Sequence, residues 1–397
     1  MKEDESMHRP AFLTDLSLSP QEYHHRVRAW CHEMRTAHPV WYDPDQGCWL
    51  TFRYADAVRV RSDYATFSSE HMVKGERKSP SIVEMDPPRH RQLRSLVTKA
   101  FSARSIAQMA PHIEDIVRDL LARVRPAGAM DWMQDLAHPL PVIVIAELLG
   151  LPREDWPQFK AWTDEIVNNG PQKEQATRSF AGRFAQAIAE RRQHPRQDVL
   201  SGLLAAEVEG QRLSYEEVMG FCFTLFIAGN ITTTSMLGNA ILCLAEHPQE
   251  WERLRRDPAL LPSAVEEILR YMPPGRCGAT DLIEGRTATT DVCLSNQVIR
   301  RGERVLILAL PANFDPEQFP DPDRFDVGRT PNPHLTFGHG IHYCLGAPLA
   351  RLELITALDG MLEQLPQVQV VRDVPLEQIQ SQTVFGPRRL PLVFQPV

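Results

Sequence analysis

What this chain lacks narrows its class. It has no excess of basic residues: 43 Lys and Arg stand against 51 Asp and Glu, a net charge of −8. That balance argues against nucleic acid as a partner, because phosphate binding draws on clustered cations. Paired cysteine spacing is missing. The seven cysteines lie at 31, 48, 222, 243, 277, 293 and 344, an odd and scattered set that is no disulfide framework and fits a reducing cytoplasm. The opening MKEDESMHRP is charged and without the apolar stretch of a secretion signal. No internal repeat, low-complexity tract or Gly/Ser linker interrupts the 397 residues, so one domain over 1–397 is expected. The β-α-β rhythm of a doubly wound sheet is absent too.

Long uncharged runs are rare, with one exception. From Val218 to Ala245 no residue is charged, and that length could span a bilayer. The run holds Asn230, Thr232, Thr233, Thr234, Ser235 and Asn239, groups that are costly in lipid. A buried core helix is therefore expected, and no membrane anchor.

What is present is mostly helical pattern. SPQEYHHRVRAWCHEMRTAH starts at a Ser-Pro cap, and IEDIVRDLLARV, PVIVIAELLG, DWPQFKAWTDEIVNN and SFAGRFAQAIAERRQ repeat the helical period. Residues 170–177 read as an exposed loop. CWLTFRY, TDVCLSN, QVIRRGERVLILAL and LPLVFQ alternate like strands. The expected class is mainly α with small β-sheets.

Ser214 and Glu217 form a capping-box signal for a helix that Pro248 would stop near His247. At ~33 residues it would be ~50 Å long and cross the whole molecule. Its middle, AGNITTT (Ala228 to Thr234), is small and polar. Two readings stay open there: a bulge beside a ligand, or a kink that packs on a neighbour. Glu267 and Arg270 share a helical face in VEEILRY, as do His90 and Arg94 in PPRHRQLRSL. The second pair could grip a carboxylate or belong to a solvated basic face. Arg324 sits in a Pro- and Asp-rich coil.

FGHGIHYCLG, Phe337 to Gly346, crowds glycine around a single cysteine. Zinc could use His339, His342 and Cys344, but a structural site needs a fourth ligand. A dinucleotide loop needs a third glycine where Tyr343 stands. A third explanation is a thiolate presented to haem iron: glycines let backbone approach a flat ring, and the amides opening the helix APLARLELITAL would stabilise the charge.

FGHGIHYCLGAPLARLE matches the pattern F-G-x-G-x-H-x-C-x-G at every fixed position. In this the chain resembles the bacterial cytochromes P450, haem-thiolate monooxygenases, and further motifs follow in family order along nearly its whole length. The resemblance implies a long central helix over a buried haem b, with Cys344 as iron ligand and Phe337, Gly338 and Gly346 as cofactor contacts. It implies His90, Arg94, Arg286 and His342 as propionate contacts, Arg276 being a rival to Arg286. Ala228, Gly229, Asn230, Ile231 and Thr232 would form the oxygen-activating stretch. Glu267, Arg270 and Arg324 would form a structural network. Leu225, Ala228, Val384 and Phe385, with the 272–285 loop, would line the substrate pocket.

The implied reaction inserts one oxygen atom of O2 into a C–H bond or a double bond of a small apolar molecule such as a terpenoid, steroid, fatty acid or polyketide. The other atom leaves as water. The chain is long enough for the haem domain alone, so no fused reductase is expected. A ferredoxin or flavodoxin with an NAD(P)H-dependent reductase would bring the two electrons in the cytoplasm. Two positions depart from the family: Ile231 stands where an acid usually precedes the threonine, and Phe314 where arginine is common. The alternatives are a peroxide-driven peroxygenase and a non-catalytic haem protein that binds a ligand.

Overall fold

The computed structural model describes residues 8–70, 81–98, 101, 103–167, 170–208, 210–277, 285–371 and 373–396. Helices run Pro20–Ala37 (α1), Tyr54–Ser62 (α2), Arg89–Thr98 (α3), Ala103–Ala107 (α4), Ala110–Val124 (α5), Pro139–Leu148 (α6), Trp156–Val167 (α7), Lys173–Gln193 (α8), Val199–Ala205 (α9), Tyr215–Glu246 (α10), Pro248–Arg256 (α11), Leu261–Tyr271 (α12), Ala309–Asn313 (α13) and Ala347–Gln364 (α14). Strands are short: Val40–Asp43 (β1), Cys48–Thr51 (β2), Phe67–Ser68 (β3), Ala129–Asp131 (β4), Glu207–Val208 (β5), Gln211–Arg212 (β6), Gly285–Ala288 (β7), Val292–Leu294 (β8), Gln297–Ile299 (β9), Arg304–Ile307 (β10), Gln369–Val370 (β11) and Pro391–Val393 (β12). One sheet has the order β1-β2-β10-β7-β3, with β2 and β10 parallel, and another the order β11-β12-β4. The turn between β8 and β9 places Ser295 and Asn296 at positive φ, the geometry of a tight hairpin.

The capping box is real. The Ser214 side chain accepts from the Glu217 amide, and the Glu217 carboxylate accepts from the Ser214 amide. α10 ends where Pro248 opens α11. By length and composition α10 could cross a membrane. Instead its residues 233–244 are all buried, and it packs on α6, α12 and α14. A close approach fixes its place: a Cβ on Gly238 would come within 2.7 Å of Met133 Sδ, and the Trp132 indole donates to the Leu237 carbonyl at 3.0 Å. The first half of α10 is held by aromatic rings. Phe226 meets Phe159 of α7 at 4.9 Å and Phe180 of α8 at 5.1 Å between centroids.

Of the two readings of Ala228–Thr234, a bulge that breaks the ladder does not form: α10 is regular α-helix throughout. Among the described residues a π turn lies elsewhere, at Met133–Ala137. Residues 170–177 are likewise not all loop, since α8 begins at Lys173. Lys, Glu, Gln and Ala favour helix without marking an apolar face, so no period announces them.

Glu267 and Arg270 are fully buried and paired in a fork, with Nε–Oε2 at 2.7 Å and Nη2–Oε1 at 2.8 Å. The expected third partner is corrected. Arg329, not Arg324, reaches Glu267, at 3.1 Å. The Arg324 side chain is 65% exposed and only neighbours Asp326 at 3.6 Å. Its contribution is a backbone carbonyl, which accepts from Arg329 at 2.8 Å and Arg270 at 3.3 Å. The Phe314 ring lies under the guanidinium groups of Arg28 at 4.6 Å and Arg270 at 5.1 Å.

Replacing Arg329 by alanine should therefore cost about 1–3 kcal/mol, the loss of hydrogen bonds to a buried carboxylate. Arg324→Ala should stay within about 0.5 kcal/mol of the parent. Urea titration followed by circular dichroism distinguishes the two.

Candidate active site

The cysteine loop is shaped by its own backbone. The Cys344 amide donates to the Phe337 carbonyl at 2.8 Å, and the Gly338 amide to Leu335 at 2.8 Å. Gly338 and Gly340 take φ of 76° and 70°, values that disfavour any side chain. A Cβ on Gly340 would also sit 2.7 Å from the Arg61 carbonyl. Gly346, at the start of α14, has open space where a Cβ would be, so a flat group could lie against the backbone there.

Burial raises the Cys344 thiol above its ordinary value. The Gly346 amide, the charge of Arg94, the Ala347 amide and the charge of Arg351 pull the other way. Yet Cys344 keeps accessible surface. So do Ala228 and Thr232 on α10, whose neighbours Asn230 and Thr233 are buried. The Thr232 hydroxyl donates to the Ala228 carbonyl at 2.7 Å, and the Thr234 hydroxyl to Asn230 Oδ1 at 3.3 Å. A Cβ built on Gly229 would make only ordinary contact with Ile145 of α6, at 3.5 Å. Ile231 is half-buried.

Four basic groups converge beside the loop. His90, in the first turn of α3, is buried, and its Nε2 has no hydrogen-bond partner. Its ring lies 4.3 Å from that of His342, which bonds Ser69 Oγ at 2.9 Å. Burial first, then Arg94 and Arg286, hold His90 down to about 4. Burial, Arg286, His90 and Arg94 hold His342 down to about 3. Arg286 is buried on β7, and Arg94 donates to the Tyr343 carbonyl. Two neutral imidazoles and two guanidiniums at one place form a receptor for carboxylates. The rival Arg276 is used elsewhere. It bonds Gln378 Oε1 at 2.5 Å and the Ser381 carbonyl at 3.1 Å, and it covers the Tyr23 ring at 4.3 Å.

Leu225 and Ala228 keep accessible surface, whereas Val384 and Phe385 are buried. As a pocket wall Phe385 is corrected to a core residue: its ring packs on Tyr23 at 5.0 Å and stacks with His24 at 6.4 Å. Within the 272–285 loop, residues 278–284 lie outside the described residues. One arrangement escaped the sequence reading. Arg351 bonds Glu266 at 2.6 and 2.8 Å and the Tyr343 phenol at 3.2 Å, and His334 joins Glu266 at 3.2 Å. Burial would raise Glu266, but the bonds from Arg351 and His334 outweigh it and hold the carboxyl at about 2. The signal was Glu266 directly beside Glu267.

Comparison with known proteins agrees with this geometry. The family model for cytochrome P450 matches residues 129–394. The erythromycin C-12 hydroxylase of Saccharopolyspora erythraea is 40% identical over 92% of this chain and 93% of its own length. The cyclomarin C epoxidase CymV of Salinispora arenicola is 38% identical over 93% and 96%. Among solved structures, cytochrome P450 CYP109Q5 from Chondromyces apiculatus superposes with a TM-score of 0.86 at 39% identity, covering 95% of this chain and 97% of that one. CYP109E1 from Bacillus megaterium, in complex with testosterone, does so with a TM-score of 0.84 at 38% identity, covering 92% and 99%.

Arg286→Ala should move both imidazoles upward, towards but not to 6.5, because burial remains the larger cause. Both are lowered by folding, so the unfolded chain takes up protons first as the pH falls. Stability then declines below about 6.5, and the variant should decline less steeply. Imidazole NMR titration and acid unfolding measure the two effects.

Proposed function

The chain belongs to the cytochrome P450 family, and from that premise we propose the role of each site residue. Its activity is that of a haem-thiolate monooxygenase, the chemistry of the named hydroxylases and epoxidases among its relatives. Haem, taken here as haem b, supplies the activation of O2 when bound.

Cys344 is the iron ligand. Its thiolate is stabilised by the Gly346 and Ala347 amides and by the charges of Arg94 and Arg351. Phe337, Gly338 and Gly346 form the surface on which the ring rests. His90, Arg94, Arg286 and His342 hold the propionates. The unpartnered Nε2 of His90 supports this, because a buried ring nitrogen without a partner is costly unless a ligand meets it. The observation that carries the reading is the accessible Cys344 thiol at the start of α14 beside this basic cluster.

On α10, Ala228 and Gly229 keep the wall thin, and Thr232 and Asn230 handle protons. The Thr232 hydroxyl gives its hydrogen to Ala228, which leaves its oxygen free to accept. Ile231 can neither hold nor pass a proton. Leu225 and Ala228 offer an apolar wall to a small apolar substrate. The macrolide named for one relative and the steroid bound by another support a polyketide or steroid-like molecule. Electrons come from a ferredoxin or flavodoxin with its NAD(P)H-dependent reductase. Residues 1–397 form one domain, supported by a core that joins elements from Leu13 to Phe394. The free state of all seven cysteines supports the cytoplasm. Ile231 also favours a second reading, turnover driven by peroxide.

In the reduced carbon-monoxide difference spectrum the chain should absorb near the wavelength that gives the family its name, and Cys344→Ser should abolish that band. Ile231→Glu should raise the share of NAD(P)H electrons recovered in product. Turnover with hydrogen peroxide and no electron donor would instead support the second reading.

A further inference from the structure

Two of the seven cysteines meet. Cys31 on α1 and Cys277, in the chain that leaves α12, bring their sulfurs to 3.8 Å across 246 residues of sequence. They are 1% and 5% exposed, and neither belongs to the site around Cys344. Contacts on both sides hold the pair in place. The Arg276 amide donates to the Thr383 carbonyl at 2.9 Å, and the Phe385 amide to the Pro274 carbonyl at 2.7 Å. The Arg276 guanidinium covers the ring of Tyr23, on α1, at 4.3 Å. His24 Nε2, also on α1, bonds the Tyr271 carbonyl at 2.8 Å. Closing 3.8 Å to the ~2.05 Å of a disulfide asks each sulfur to move less than about 1 Å.

We propose that Cys31 and Cys277 are a reversible disulfide site, oxidised by hydrogen peroxide, which locks α1 to the chain between α12 and β7. The proposal does not rest on the monooxygenase reading. Cys277, the more accessible of the two, takes one peroxide oxygen as a sulfenic acid; the O–O bond breaks and water leaves. The Cys31 sulfur then displaces the hydroxyl, which departs with the Cys31 proton as a second water. Two thiols have lost two electrons and two protons, and peroxide has become two waters. Burial holds the Cys31 thiol well above its ordinary value, so it stays protonated until the sulfenic acid forms beside it. A disulfide of this kind in a reducing compartment is transient and redox-sensing. A cross-link between residues so far apart in sequence takes much chain entropy from the unfolded state, so oxidation stabilises the fold.

The test treats the purified holoenzyme with stoichiometric hydrogen peroxide, alkylates the remaining thiols in denaturant and maps the peptides by mass spectrometry. A peptide pair joined through Cys31 and Cys277, two hydrogens lighter than the sum of its parts, is expected, and dithiothreitol should separate it. The oxidised chain should melt about 5 °C above the reduced one. Cys31→Ser and Cys277→Ser should each lose both the joined peptides and the shift. In Cys31→Ser, the sulfenic acid at Cys277 should persist and be trapped by dimedone. Both thiols alkylated after peroxide, Cys277 carried to sulfinic acid without a cross-link, or a cross-link with no rise in melting temperature overturns the proposal. Should either variant fail to fold, the peptide map and melting temperature of the parent decide alone.

Discussion

A sulfur atom that is to carry negative charge in a dry interior must be stabilised by something other than water. Around Cys344 that work falls to two amides at the mouth of an 18-residue helix and to two arginines, Arg94 and Arg351. Burial opposes them and is the largest single influence. The balance is useful chemistry. A thiolate bathed in water would be stable but would donate weakly, and one with no counter-charge would stay protonated. On the role proposed for Cys344, the helix dipole, the loop glycines and the neighbouring cations together set that one charge.

The loop holds this setting because α12 grips it from both sides. Glu267 binds Arg270, Arg329 and Asn332, the last at 3.1 Å. Arg270 in turn reaches the Asn313 carbonyl at 2.9 Å, and Asn313 receives the Leu335 amide at 2.8 Å. Thr336 donates to the Leu269 carbonyl at 2.6 Å. The adjacent Glu266 holds Arg351 and His334. One carboxylate therefore anchors the approach to the cysteine loop and its neighbour anchors the helix that leaves it. Such buried ions are poor sources of net stability, but breaking one is expensive, and that asymmetry suits a part whose geometry must not drift.

Much of this was legible because it is local. The capping box of α10 is spelled by Ser214 and Glu217, and the cysteine loop by consecutive residues. Glu267 and Arg270 are one helical turn apart. What escaped depends on where irregular chain goes. Arg324 and Arg329 stand five residues apart in a Pro-rich coil with no period, so nothing in the sequence says that Arg329 turns inward while Arg324 stays exposed. Phe385 was expected at the pocket as part of the turn near Val384. Its ring was instead drawn into the cluster of Tyr23 and His24, on a helix more than three hundred residues earlier. Arg286 was the better fit on paper with Arg276 its rival, and the pairing of β7 with β3 and β10 carries Arg286 to the histidines.

The isoleucine at 231 bears on stability as well as on protons. An acid on the half-exposed face of α10 would ionise at neutral pH unless a partner or substrate dried it, so its usefulness would vary with what occupies the cavity. Glu353 on α14 is 2% exposed, and burial pushes its carboxyl well above the ordinary range. The cost appears in folding. A carboxyl whose pKa is raised on folding favours the native state only at pH values below its ordinary value near 4.5. As the pH rises beyond that, the unfolded chain sheds its proton while the folded chain must keep it, and the native state loses ground. A buried acid with no partner is thus a standing expense at neutral pH that packing alone gives no reason to keep. A methionine or leucine of similar volume would pack on α14 without that cost.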